Sequence, residues 1–140
     1  MLTATDEQDR GVLSTHIHAD GNHAEMLWTE AAGSKNHPRI SAEDIAAGRH
    51  YPRMEGREVF KHAVKRMPEV VMEALEAKDL TTNDIDLLIP HQANLRISGM
   101  VQRRVGLEDE QVVNDVQRYG NTPGATIPIA LAEAVRDERL

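Results

Sequence analysis

The sequence predicts a layered α/β fold, and three features carry that reading. Residues 57–78 repeat apolar side chains at helical spacing. Short apolar runs at 86–89 and 112–116 have the length of buried strands. The two kinds of segment alternate along the chain, as they do when helices cover a sheet.

Taken in order, residues 12–18 (VLSTHIH) alternate apolar and polar types, a period of two that predicts a strand, which Gly21 and Asn22 end. Residues 19–56 are largely irregular, with one short helix expected near 42–47, where Ser41 to Asp44 has the form of a capping box and Gly48 a stop. A loop of that length is more often a lid or partner surface than an idle linker. The 57–78 helix places Val59, Phe60, Ala63, Val64, Met67, Val70, Val71, Ala74 and Leu75 on one face. Pro68 is expected to kink or split it, because proline removes a backbone donor and crowds the previous turn. Asp86 to Ile89, closed by Pro90, predicts a strand buried on both faces. Residues 94–105 return to helical spacing and stop at Gly106, Val112 to Val116 predict another strand, and 122–137 a last helix. The start of that helix is ambiguous, since Pro123 suits a first turn and Pro128 a later start or a bend.

At 140 residues the chain is long enough for one domain. The aromatic residues are Trp28, Tyr51, Phe60 and Tyr119, so the core must be aliphatic. A formal charge of −7 argues against a generally basic nucleic-acid binder but leaves room for a local basic patch. There is no cysteine, which excludes disulfides and a thiolate nucleophile within these residues. No apolar run approaches the roughly 20 residues needed to span a bilayer. Met1 leads into the polar run Thr3 to Arg10, unlike a signal peptide, so the cytoplasm is the expected compartment.

His91 and Asn94 directly follow the first expected buried strand, and Asn121 comes shortly after the second. Ligands of open α/β sheets collect beyond the carboxyl ends of strands, so His91 and Asn121 could converge on one site. The residues alone leave a plainer reading open, in which His91 merely starts a helix and Asn121 caps another. His16, His18 and His23 invite a metal reading, but no Cys or HExxH motif supports it and no metal is expected.

The strings PHQANLRI (90–97) and RYGNTPGATIPIALAEAV (118–135) resemble the two signature segments of β-ketoacyl-acyl-carrier-protein synthase III. Similarity extends through GVLSTHIHADG (11–21) and GREVFKHAVKRMPEVV (56–71), so that the resemblance covers most of the chain outside 22–55. The resemblance implies that residues 1–140 form the carboxyl-terminal half of a thiolase-like layered fold, a central sheet with packed helices. It implies a decarboxylative Claisen condensation in fatty acid or polyketide synthesis, with acyl-CoA and malonyl-acyl-carrier protein as substrates and no cofactor. The positions matching the family's catalytic pair are His91 and Asn121. Two fixed neutral donors there would stabilise the negative charge that decarboxylation pushes onto the thioester oxygen. Asn94, with Ala93 and Ile97, matches positions lining the site, and Gly56 and Phe60 match positions near the pantetheine and acyl tunnel. Phe60 reads equally well as an ordinary core aromatic. Arg96, Arg103 and Arg104 match basic residues on a helix that docks the acidic acyl carrier protein, and they read as well as a solvated helix face.

Three departures from the family pattern are evident. The amino-terminal, cysteine-bearing half is not among these residues, nor is the glycine-rich segment expected after Leu140, and Pro123 and Gly124 stand where Ser and Ala are more usual. The chain alone is therefore expected to be inactive in condensation, and to expose an apolar face that takes an amino-terminal half or a second copy. Two rivals remain: a non-catalytic module that holds carrier protein or acyl-CoA, and an inactive fragment.

Overall fold

The structure, a computed structural model, describes residues 4–7 and 10–140. It divides into two compact units, His18–Ala63 on one side and Met1–Ile17 with Val64–Leu140 on the other. Among the described residues no helix is long and apolar enough to cross a membrane.

In the smaller unit, the Asp20 carboxylate accepts a hydrogen bond from the Asn22 N–H at 3.1 Å and opens a 3-10 turn, Gly21–Met26. Strand β1 (Leu27–Trp28) pairs antiparallel with β2 (Arg53–Met54), Leu27 opposite Met54 and Trp28 opposite Arg53. Between them lies helix α1 (Ala42–Ala46), held by the capping box that the sequence displays. The Asp44 N–H donates to Ser41 Oγ at 3.1 Å and the Ser41 N–H donates to Asp44 at 2.8 Å. The Arg49 guanidinium at 2.7 Å, with the Ser41 donors, holds the Asp44 carboxyl down at about 2. The short α1 was legible from the sequence; the two-residue strands on either side of it were not.

Helix α2 runs unbroken over Gly56–Glu76. Pro68 does not split it, contrary to one of the two outcomes expected. A proline at 68 leaves the carbonyl four residues earlier, that of Val64, without its helical donor. Arg104 supplies the missing bond: its Nη1 donates to the Val64 carbonyl at 2.7 Å.

In the larger unit the expected strands are much reduced. Residues 12–18 form no strand: Val12 is 77% and Ile17 91% exposed, and a β-ladder needs a partner on which its backbone groups can close. The runs at 86–89 and 112–116 meet in one parallel bridge between Leu88 and Val112. The Leu88 N–H donates to the Gln111 carbonyl at 2.7 Å and the Val113 N–H to the Leu88 carbonyl at 3.0 Å. The second run then leaves extended backbone early, because helix α4 (Val116–Tyr119) already begins at Val116; helix α3 (Leu95–Val105) precedes it in the chain. Asn94 caps α3 by accepting from the Arg96 N–H at 2.8 Å, and Gly106 ends it at φ +83°, a backbone position that favours glycine.

Helix α5 spans Thr126–Arg136, so the later start is the one realised. Pro128 is its third residue, where a missing N–H breaks no helical bond. Thr126, Ala130 and Ala134 recur every four residues along α5 and are all buried. Leu87 and Ile89 pack against Val113, Ala130 and Ala134. The 86–89 run, expected to be buried on both faces, is half-buried at Leu87, Leu88 and Ile89 and exposed at Asp86; Leu87 and Ile89 face α5, and His91, two residues further on, lies on the same side.

Candidate active site

His91 meets α5 on that side. Its Nδ1 lies 2.7 Å from the Thr126 hydroxyl, four residues before Ala130. Asn121 sits in the loop that leads directly into α5, five residues before Thr126. Both residues of the expected pair are therefore tied to one structural feature, the amino-terminal start of α5, and both are exposed.

The loop is pinned at each end. At its start, Tyr119 donates its phenol proton to Glu133 of α5 at 2.8 Å, and Arg118, whose guanidinium lies over the Tyr119 ring at 5.4 Å, also pairs with Glu133. Arg136 adds a third donor at 3.0 Å. These bonds, Tyr119's foremost, hold the buried Glu133 carboxyl below the usual carboxylate range, and the same bond pushes the Tyr119 phenol up. At its end, the Thr122 carbonyl accepts the N–H groups of Ala125 and Thr126, each at 2.9 Å. Gly124 turns the chain at φ +83°, which accounts physically for glycine where the family pattern leads one to expect serine or alanine.

A buried residue outside the sequence-based site joins the segment that bears His91 to residues 113–116, which lead through α4 to Asn121. Gln92 is 3% exposed, and its carboxamide donates to the carbonyls of Pro90 (3.0 Å) and Val113 (2.9 Å). Its oxygen accepts the N–H groups of Asp115 (2.9 Å) and Val116 (3.3 Å). The available signal was a polar residue two positions after Pro90 and four after Leu88, on the side of the segment opposite Leu87, Ile89 and His91. Beside it Asp115 is 1% exposed, and its Oδ2 has no hydrogen-bond partner among the described residues.

Burial pushes the Asp115 carboxyl up and Glu133 adds to that, while Arg118 opposes it. A raised folded-state value means that the folded protein holds this proton more tightly than the unfolded chain does. The resulting stability is present below the ordinary carboxylate value of about 3.9 and is lost as pH rises through the folded-state value. D115N should flatten that part of the pH profile. Urea denaturation from pH 4 to 8 checks it, and an identical slope in both proteins would sink the assignment.

The other expected site residues are distributed more widely. Asn94 is the α3 cap, Ala93 is half-buried beside it, and Ile97 is buried in the first turn of α3. Gly56 and Phe60 lie in the smaller unit, Gly56 exposed at the start of α2 and Phe60 half-buried. Arg96, Arg103 and Arg104 are exposed on α3; Arg103 contacts Met100 Sδ at 2.8 Å, and Arg104 holds the Val64 carbonyl. Of the amino-terminal histidines, His16 lies between Glu73 (3.1 Å) and Ser14 (3.2 Å). His23 packs against the ring of His62, centroids 4.3 Å apart. Among the described residues no group of three or more His, Asp and Glu gathers for a metal.

Comparison with known proteins bears on the family and the fold. Residues 75–140 match the family model for the carboxyl-terminal region of 3-oxoacyl-[acyl-carrier-protein (ACP)] synthase III. The β-ketoacyl-[acyl-carrier-protein] synthase III of Acidiphilium cryptum is 49% identical over 141 residues, covering 100% of this chain and 41% of that protein. The enzyme of the same name from Xanthomonas campestris is 46% identical over 134 residues, covering 96% of this chain and 40% of that protein. The chain spans about two fifths of the length of the curated relatives it matches.

Among solved structures, the β-ketoacyl-[acyl carrier protein] synthase III of Thermus thermophilus superposes with a TM-score of 0.74 at 42% identity, over 88% of this chain and 36% of that one. The 3-oxoacyl-(acyl carrier protein) synthase III of Pseudomonas aeruginosa PAO1 gives 0.73 at 34% identity, over 88% and 34%. The α/β arrangement is thus part of a thiolase-like layered fold. The chain belongs to the β-ketoacyl-[acyl-carrier-protein] synthase III family and corresponds to its carboxyl-terminal part.

Proposed function

We propose that this chain supplies the His/Asn pair of a β-ketoacyl-acyl-carrier-protein synthase III, in a decarboxylative condensation of acyl-CoA with malonyl-acyl-carrier protein. The observation that carries the reading is the bond from His91 to Thr126 at the start of α5, immediately after the loop bearing Asn121. In the proposed step the bond between the malonyl methylene and its carboxylate breaks and releases carbon dioxide. The electron pair is delocalised onto the thioester oxygen as an enolate. The His91 N–H and the Asn121 carboxamide N–H donate to that oxygen, which a ground-state thioester needs far less. A cysteine thiolate first takes the acyl group from acyl-CoA and releases CoA thiol; the enolate carbon then attacks that acyl-cysteine thioester and expels the cysteine thiolate.

That thiol is absent from these 140 residues, so another polypeptide segment has to provide it. The α5 face formed by Ile127, Leu131 and Val135 is exposed and spaced every four residues, as suits packing against such a segment. Arg96 and Arg103 are the residues best placed on α3 to meet an acidic carrier protein. Intracellular acyl metabolism in the cytoplasm fits this role.

The test is decarboxylation of a malonyl thioester by the chain, with no acyl acceptor present. H91A and N121A should each lower the rate about 10²-fold, the usual cost of removing one such donor. Wild-type chain with no decarboxylation above buffer would overturn the reading. So would variants as fast as wild type.

A further inference from the structure

We infer that Thr126 is a positioning residue that sets the tautomer of His91, donating its hydroxyl proton to Nδ1 so that the ring hydrogen resides on Nε2. The Nδ1 to Oγ1 distance of 2.7 Å fits a hydrogen bond in either direction, so the direction has to be settled by the alternatives open to each group.

Thr126 is 3% exposed. A threonine hydroxyl inside a helix often donates to the carbonyl four residues back, here that of Thr122. That carbonyl already accepts two N–H groups, from Ala125 and Thr126, each at 2.9 Å. Among the described residues His91 is the one partner of the Thr126 hydroxyl. If Nδ1 carried the hydrogen and donated to Oγ1, the buried hydroxyl proton would have no acceptor, which is the more costly arrangement. If Thr126 donates, every polar hydrogen in the pair is used, and His91 presents Nε2–H as a donor. The β-branched side chain adds rigidity, because its χ1 is restricted within a helix. The α5 face of Thr126, Ala130 and Ala134 that packs the 87–91 segment therefore also selects which imidazole nitrogen can donate to substrate.

The consequence for catalysis rests on the proposed function; the tautomer itself does not. Long-range 15N–1H NMR of the 15N-histidine-labelled chain reads it directly, with His91 assigned from the signals missing in H91Q. Wild type and T126S should show hydrogen on Nε2 alone. T126V, similar in shape but without the hydroxyl, should show population of the Nδ1–H form. In the malonyl-thioester assay T126V should fall about tenfold in kcat with little change in KM, and T126S should stay near wild type. Hydrogen on Nδ1 in wild type would overturn the inference whether or not T126V folds, as would a folded T126V with an unchanged tautomer. The expected tautomers together with no decarboxylation by any form would uphold the role of Thr126 and defeat the functional reading instead.

Discussion

Replacing Gln92 with leucine should lower the unfolding free energy by about 3–5 kcal/mol, a loss that a small domain tolerates poorly. The reason is saturation. A carboxamide has two N–H hydrogens and an oxygen with two lone pairs, and Gln92 uses all four on backbone groups of residues 90, 113, 115 and 116. Leucine fills a similar volume but leaves two carbonyls and two N–H groups without these partners. An unsatisfied buried group costs about 1–3 kcal/mol, and partial hydration keeps the total below the simple sum. The damage should be local as well as global, because these bonds hold the segment bearing His91 against the one leading to Asn121. Urea unfolding followed by circular dichroism measures the loss. A Q92L protein within about 1 kcal/mol of wild type would mean that water replaces the carboxamide and that the clamp has little weight.

The contrast between what the sequence revealed and what it hid follows from the range of each interaction. Helices were legible because their period is local: 57–78 became Gly56–Glu76 and 94–105 became Leu95–Val105. The last helix starts later than its pattern, at Thr126, because the Asn121 loop and Gly124 occupy the intervening residues. Strands were poorly legible because alternation records which side chains share a face and not which backbone lies alongside. At 12–18 the alternation is clear, yet among the described residues that stretch forms no ladder. At 86–89 the apolar run marked a segment that does pack beside the core, but Asp86 is exposed and Leu87, Leu88 and Ile89 are half-buried where burial on both faces was expected, and the ladder is one bridge long.

The site divides in the same way. His91 and Asn121 could be singled out from two short strings. The groups that hold them could not, since each acts across a long stretch of chain: Thr126 on His91, Gln92 on Val113, Glu133 on Tyr119. Arg104 is the clearest case of a residue whose type was legible and whose task was not. Its charge on an exposed helix face reads as a docking surface, and nothing near it in sequence points to a proline 36 residues earlier.

That pairing leads to the second large effect expected, a coupling between Arg104 and Pro68. Proline denies the Val64 carbonyl its intrahelical donor, and Arg104 Nη1 takes that place at 2.7 Å. R104M keeps much of the apolar stem but removes the donor, and should cost about 1.5–3 kcal/mol, the range for a hydrogen bond to a charged group. P68A restores the backbone N–H, so it should stabilise the chain and make the arginine dispensable there. In the P68A background R104M should cost less than about 0.5 kcal/mol, giving a coupling energy of at least about 1 kcal/mol. Equal costs in the two backgrounds would show that Arg104 stabilises α2 and α3 by packing or long-range charge, with no link to the proline. The same cycle bears on partner binding. Charge reversal at Arg104 would weaken the fold before it reported on a carrier protein, so salt-dependent docking has to be sought at Arg96 and Arg103. If R104E in a P68A chain weakens carrier binding as much as R96E does, the structural task and the docking task coexist in one side chain.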